Sequence, residues 1–164
     1  MKKIMLFYPP GRFYQRGEDR SQGNVEQSTA TSMRAPNDLG YAAATLKKAG
    51  FAVFLRDYQT ERRHPADLLA DFDREAPDGI FVSITNSTIF HDLELVRQLK
   101  CKKPELMVML KGAIFFDPDD ALLDQLDLAD VTYLIGLESD FTVGDLARAH
   151  FDDPEAVPSI RGIL

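Results

Sequence analysis

The 164-residue sequence holds one cysteine, three histidines and no tryptophan. Cys101 alone can close no internal disulfide, and several thiolates are needed for an iron–sulfur cluster or a thiolate zinc site. A single cysteine suits a reducing compartment, so the cytoplasm is the expected location. Basic residues are also short: 19 Lys and Arg against 26 Asp and Glu leave a net charge of −7. A phosphate backbone rewards clustered Lys and Arg, so neither nucleic acid nor an anionic membrane is an expected partner. No apolar run approaches the roughly 18 residues of a membrane span. Ile4-Met5-Leu6-Phe7 is too short for a signal peptide and runs into Tyr8-Pro9-Pro10. The length suits one domain.

What is present is an alternation. Ile4 to Tyr8, Phe51 to Leu55, Gly79 to Thr85, Leu106 to Leu110 and Val131 to Ile135 are short apolar runs of the kind that form buried parallel strands. Between them stand segments of helical period. Leu39 to Lys48 is the first, with Asn37 or Asp38 as its cap and Gly50 at its left-handed C-terminus. Pro65 opens a second, carrying Leu68, Leu69 and Phe72 on one face. Asn86-Ser87-Thr88 caps a third that ends before Pro104; Asp117 to Asp120 opens a short fourth; Phe141 to Phe151 is the last. Such an alternation predicts an α/β fold, a doubly wound five-stranded parallel sheet of flavodoxin-like, Rossmann-like order 2-1-3-4-5. Residues 1–151 make the domain; residues 152–164, with two prolines and no period, read as a linker.

Ligands on such sheets bind beyond the carboxyl ends of the strands, where strand order reverses. The loop after the first strand is the longest, about two dozen residues without periodicity, and loops of that size are commonly functional. Arg12, Tyr14, Arg16, Arg20 and Arg34 on it suit a large anionic or planar ligand, whereas Glu18, Asp19 and Glu26 suit a solvated excursion. It carries neither G-x-G-x-x-G nor a P-loop motif. After the third strand, Ser83, Thr85, Asn86, Ser87 and Thr88 supply hydroxyl and amide groups. Helix capping accounts for Asn86 and Ser87 but leaves Ser83 and Thr85 at the strand tip. Lys111-Gly112-Ala113 and Gly136-Leu137-Glu138 follow the fourth and fifth strands with small residues that let a ligand approach the backbone. Together these tips describe a shallow platform.

Catalytic groups are scarce. His64 and His150 read as solvated, and His91 with Glu94 at i, i+3 supplies two ligands where a metal site needs more. Lys100, Lys102 and Lys103 around Cys101 fit the basic end of a helix. No catalytic residue and no protein metal ligand is expected from this chain alone.

The order Tyr8-Pro9-Pro10, a long loop, Pro36-x-x-Leu39-Gly40-Tyr41-x-Ala43-Ala44-x-Leu46-x-x-Ala49-Gly50 and Arg56-Asp57-Tyr58 resembles the N-terminal cobalamin-binding domain of cobalamin-dependent radical S-adenosylmethionine enzymes. The resemblance continues through Pro77 to Thr85, Leu110 to Ala113, Val131 to Gly136, Asp145-Leu146 and Val157 to Ile163, so it covers nearly the whole chain. Cobalamin domains carry a Ser-x-Leu strand tip and later a Gly-Gly pair; here Ser83-Ile84-Thr85 and Lys111-Gly112 stand there, with Thr85 and Lys111 as departures. Many better-known carriers have D-x-H-x-x-G after the first strand, whose histidine ligates cobalt. Here Pro9-Pro10-Gly11-Arg12-Phe13-Tyr14 stands instead, implying a cofactor without a protein imidazole on cobalt.

The resemblance implies cobalamin as the cofactor, contacted by Pro10, Gly11, Arg12, Tyr14, Leu39, Gly40, Ser83, Thr85, Asn86, Lys111, Gly112, Ala113, Gly136, Leu137 and Glu138. Ser83, Thr85 and Gly112 would line the channel of the nucleotide tail; Gly136 to Glu138 would flank the nucleotide; Arg12 and Tyr14 would lie along the corrin. It also implies a radical S-adenosylmethionine domain in the same polypeptide. That partner would hold a [4Fe–4S] cluster on a C-x-x-x-C-x-x-C triad, bind S-adenosylmethionine and serve methyl transfer or related radical chemistry. The triad is absent here. A receiver domain would need paired acids after the first strand and an Asp ending the third, where Pro9-Pro10 and Ser83 to Thr85 stand. A flavodoxin-like carrier would need a Ser/Thr-rich phosphate loop at Pro9-Pro10-Gly11, and an interaction domain without cobalamin stays open beside these.

Overall fold

Apolar runs buried on both faces, separated by amphipathic helices, give β1 (Lys3–Tyr8), α1 (Asn37–Lys48), β2 (Ala52–Asp57), α2 (Pro65–Glu75) and β3 (Gly79–Ser83). The chain continues as α3 (Ile89–Lys102), β4 (Met107–Lys111), α4 (Asp120–Leu123), β5 (Tyr133–Ile135) and α5 (Ser139–Asp152). The structure is a computed structural model and describes residues 1–11, 35–118, 120–136 and 139–163. The five strands form one parallel sheet in the order β2-β1-β3-β4-β5, the expected doubly wound topology. Strand order reverses between β1 and β3, the neighbours at the sheet's centre.

Period-two alternation splits the interior into two layers. Met5, Phe7, Ile80, Val82, Val108 and Leu110 pack against Leu68 and Phe72 of α2 and Leu93, Val96 and Leu99 of α3. Ile4, Leu6, Tyr8, Phe81, Met107 and Met109 face Leu39, Ala42 and Leu46 of α1 and Val143, Leu146 and Ala147 of α5. Each fully buried side chain of this size contributes about 1.5–3 kcal/mol relative to exposure. No helix among the described residues is long and apolar enough to cross a membrane.

Several local expectations change. Pro36 occupies the cap position of α1, and no side chain caps that helix. Asp38 lies four residues before Ala42 on the buried face, so its carboxylate turns to the sheet instead of the helix end. Thr88, not Asn86 or Ser87, precedes α3; its hydroxyl donates to Asp92 at 2.7 Å, while Asn86 and Ser87 are exposed. Gly50 takes the expected left-handed conformation after α1, with φ +97°. His150 is half-buried rather than solvated, 2.9 Å from the Tyr133 hydroxyl and edge-on to Phe151. Burial pushes its pKa down, and the positive charges of Lys100 and Lys2 add to the effect.

Arg56-Asp57-Tyr58 holds secondary structure together. Arg56 pairs with Asp71 of α2, and the Tyr58 hydroxyl donates to the same carboxylate at 2.8 Å. Burial opposes ionisation of Asp71, but hydrogen bonds from Tyr58, Arg56 and Arg74 outweigh it and hold the carboxyl below its usual pKa. Asp57 receives the backbone N–H and the hydroxyl of Thr60, closing the turn after β2. After α5 the chain folds back: Pro154–Ser159 is a 3-10 turn, Ile163 bridges antiparallel to Ile135, and Val157, Ile160 and Ile163 pack on the α1/α5 layer. These apolar residues give order to a segment whose prolines and lack of period read as a linker.

Candidate functional site

The register brings the strand tips level: Ser83 lies opposite Lys111, and Lys111 opposite Ile135. On the α1/α5 side these tips are polar where the rest of the layer is apolar. Tyr8 ends β1, Ser83 ends β3 and Lys111 ends β4, while Asp38 descends onto them from the first turn of α1. The Asp38 carboxylate accepts from the Tyr8 hydroxyl and from Ser83 Oγ at 3.0 Å, and Lys111 Nζ lies 3.8 Å from it. Asp38 is 7 % exposed and Ser83 1 %. A buried carboxylate needs this set of partners, because an uncompensated buried charge costs several kcal/mol.

Thr85 extends the line. The Ile84 amide donates to the Lys111 carbonyl at 2.8 Å, so the ladder runs one step past β3, with Ile84 in the α2/α3 layer. Alternation then puts Thr85 on the side of Ser83. Its hydroxyl is buried and has no hydrogen-bond partner, and the same holds for Ser139 Oγ at the start of α5. Buried hydroxyls are normally satisfied, and each orphan costs about 1–3 kcal/mol. Thr85 follows β3 beside the reversal of strand order and Ser139 follows β5 at the sheet's outer edge; these two groups mark where polar atoms of a ligand would complete the structure. Their chemistry fits the amide- and phosphate-rich periphery of a corrinoid.

The sequence-derived residues divide. Ser83, Thr85 and Lys111 come together at this polar floor. Leu39 lies beneath it as a fully buried core residue of α1, whereas Gly40, Asn86 and Ala113 are exposed. Pro10 and Gly11 line a cleft of about 460 Å³ whose other walls include Gln59, Arg62, His64 and His91. His91 Nε2 is 3.2 Å from the Pro10 carbonyl and Glu94 binds Arg97, so this pair does not converge on one point. Gly112 and Gly136 are closed in by protein: a Cβ on Gly112 would sit 2.8 Å from Ile84 Cγ1, and one on Gly136 would overlap the Phe115 carbonyl. Their missing side chains make room for the 3-10 turn Ala113–Phe115 and for Ile84. Arg12, Tyr14, Leu137 and Glu138 lie outside the described residues.

Sequence reading missed Tyr8 and Asp38 as members of the site. The signal was present for Asp38, since a helical wheel puts it with Leu39, Ala42 and Leu46 on the inward face. For Tyr8 there was none beyond its place as the last apolar residue of a strand.

Two comparisons connect this geometry to known proteins. A B12 binding domain family model matches residues 32–136. The structure of the cobalamin-dependent S-adenosylmethionine radical enzyme OxsB, with aqua-cobalamin and S-adenosylmethionine bound, is similar in fold, with a TM-score of 0.70 at 12% identity. The similarity covers 99% of this chain, which spans 20% of the OxsB chain. No curated protein matches the sequence.

Proposed function

Since the chain belongs to the B12 binding domain family, we propose that it carries cobalamin on behalf of a cobalamin-dependent radical S-adenosylmethionine enzyme. The observation that carries the reading is the polar floor of Asp38, Ser83, Thr85 and Lys111, built where a doubly wound sheet accepts ligands. Cobalamin supplies a cobalt centre for methyl transfer or related redox chemistry, and the protein fixes its face and exposure. Ser83, Thr85 and Gly112 line the place of the nucleotide arm, with Lys111, Ala113 and Asn86 at its margin. By the resemblance, Gly136, Leu137 and Glu138 would flank that arm, and Leu39 and Gly40 belong to the helix α1. On the same resemblance, Pro10, Gly11, Arg12 and Tyr14 would lie along the corrin, and no histidine would ligate cobalt.

The radical part of the reading rests on the order of motifs from Tyr8 to Ile163 and on the family of the OxsB enzyme, whose fold this chain shares. In it, residues 1–151 are the cobalamin domain and residues 152–164 lead toward a radical S-adenosylmethionine domain of the same polypeptide. That domain holds the [4Fe–4S] cluster, S-adenosylmethionine and the substrate.

The test is incubation with hydroxocobalamin, desalting and visible absorbance. Retention of colour at about one equivalent is expected. A colourless protein after exposure to a large cofactor excess overturns the reading.

A further inference from the structure

The carboxyl edge of the sheet has a second concavity, on the α2/α3 layer and so on the opposite side of the sheet from the polar floor. Its walls come from three places: Pro10 beyond β1, Gln59, Arg62, Arg63 and His64 between β2 and α2, and His91 in the first turn of α3. At about 460 Å³ the cleft has the size of a small-molecule site. Four of its side chains are arginine or histidine, and among the described residues none of its walls is acidic, in a chain of net charge −7. Glu61 and Asp67, which are not among those walls, pair with Arg63 at 3.4 and 3.9 Å and balance part of its charge.

The turn that supplies the arginines is fixed by its backbone. Arg62 takes a left-handed φ of +53°, a conformation rare outside glycine and concentrated at functional sites. Its N–H donates to the Gln59 carbonyl at 3.1 Å, and that of Arg63 donates to the Tyr58 carbonyl at 2.9 Å. His91 Nε2 lies 3.2 Å from the Pro10 carbonyl; a carbonyl only accepts, so this nitrogen carries a proton. The walls are thus rich in donors and cations. We propose that this cleft binds the phosphoryl group of a small molecule other than cobalamin. Guanidinium forks match phosphoryl oxygens in geometry, and a dianion gains more from two cations than a single carboxylate does. The inference goes beyond the cobalamin reading and does not rest on it, since the cleft uses no residue of the polar floor.

Three histidines in the whole chain make the test site-specific. Inorganic phosphate is titrated at constant ionic strength and the imidazole proton signals are followed by NMR. His64 and His91 are expected to move along one saturation curve with a midpoint of about 1 mM, while His150, on α5, stays in place. Acetate is expected to bind about tenfold more weakly. Arg62→Gly, in which glycine keeps the left-handed turn without cost, and Arg63→Gln are expected to fold as the wild type does and to weaken phosphate about tenfold each. These titrations contain no cobalamin, so they stand whether or not the cobalamin reading does. In protein loaded with hydroxocobalamin the same phosphate curve is expected; its loss there gives the cleft to the cofactor and overturns the proposal. A response without saturation, equal shifts of all three histidines, or wild-type phosphate affinity in both arginine variants overturns it as well.

Discussion

The hydroxyl of Tyr8, the last residue of β1, donates to the carboxylate of Asp38 in the first turn of α1, a buried contact between residues 30 apart in sequence. It anchors α1 over the tips of the strands, and the Ser83 and Lys111 interactions make Asp38 the common partner of three strands. Replacing Asp38 with Ala removes two hydrogen bonds, from the Tyr8 and Ser83 hydroxyls, and the ion pair with Lys111 at a buried site. A loss of about 2–4 kcal/mol in unfolding free energy is expected, against about 1 kcal/mol for Tyr8→Phe. Urea denaturation of the two variants checks the order and the size.

The closed space around Gly136 makes a second expectation. A methyl group there meets the Phe115 carbonyl, which belongs to backbone and cannot rotate away, whereas at Gly112 it meets the Ile84 side chain. Gly136→Ala should cost about 2–3 kcal/mol and Gly112→Ala about 1 kcal/mol, because overpacking against backbone relaxes less. Equal midpoints in denaturant for the two variants would contradict the geometry.

His150 gives the pH dependence. Burial lowers its folded-state pKa below the ordinary 6.5, with Lys100 and Lys2 adding repulsion. A depressed value means that the unfolded chain takes up the proton first. The stability contribution is therefore present above 6.5 and is lost as pH falls from there through the folded-state value. Stability at pH 7.5 should exceed that at pH 5.5, and His150→Gln should reduce the difference.

The chain has three histidines, so its whole imidazole complement can be tested at once. Under the proposed function, the visible spectrum of bound hydroxocobalamin is unchanged in His64→Ala, His91→Ala and His150→Ala, singly and together. A shift confined to one of them identifies that residue as a cobalt ligand.

Much of this architecture was legible because its elements are locally consistent. Two prolines stop the run at Tyr8, Pro65 opens α2, Gly50 ends α1, and each strand is built on a short apolar run. Strand order followed from parallel pairing and crossover handedness. Ser83, Thr85 and Lys111 were legible as polar residues at strand ends. Asp38 was misread because an acid at a helix start has a local explanation as a cap, and only the packing of α1 on the sheet shows that it points inward. The packing of the tail was not legible for a related reason. Val157, Ile160 and Ile163 are too widely spaced to show a period, yet all three reach the α1/α5 layer. The roles of Gly112 and Gly136 depend on contacts with Ile84 and Phe115, which sequence spacing does not show.

The alternation at the end of β3 has an evolutionary consequence. Val82 and Ile84 serve the interior on one side, while Ser83 and, beyond it, Thr85 serve the site on the other. Inserting or deleting one residue before Ser83 would exchange the two sets, putting hydroxyls into hydrocarbon and hydrocarbon into the ligand's path. Point substitutions can retune ligand preference position by position, but no change in strand length can do so without also disrupting the interior. Lineages of this fold are therefore free to vary the chemistry of the site and bound to keep its spacing.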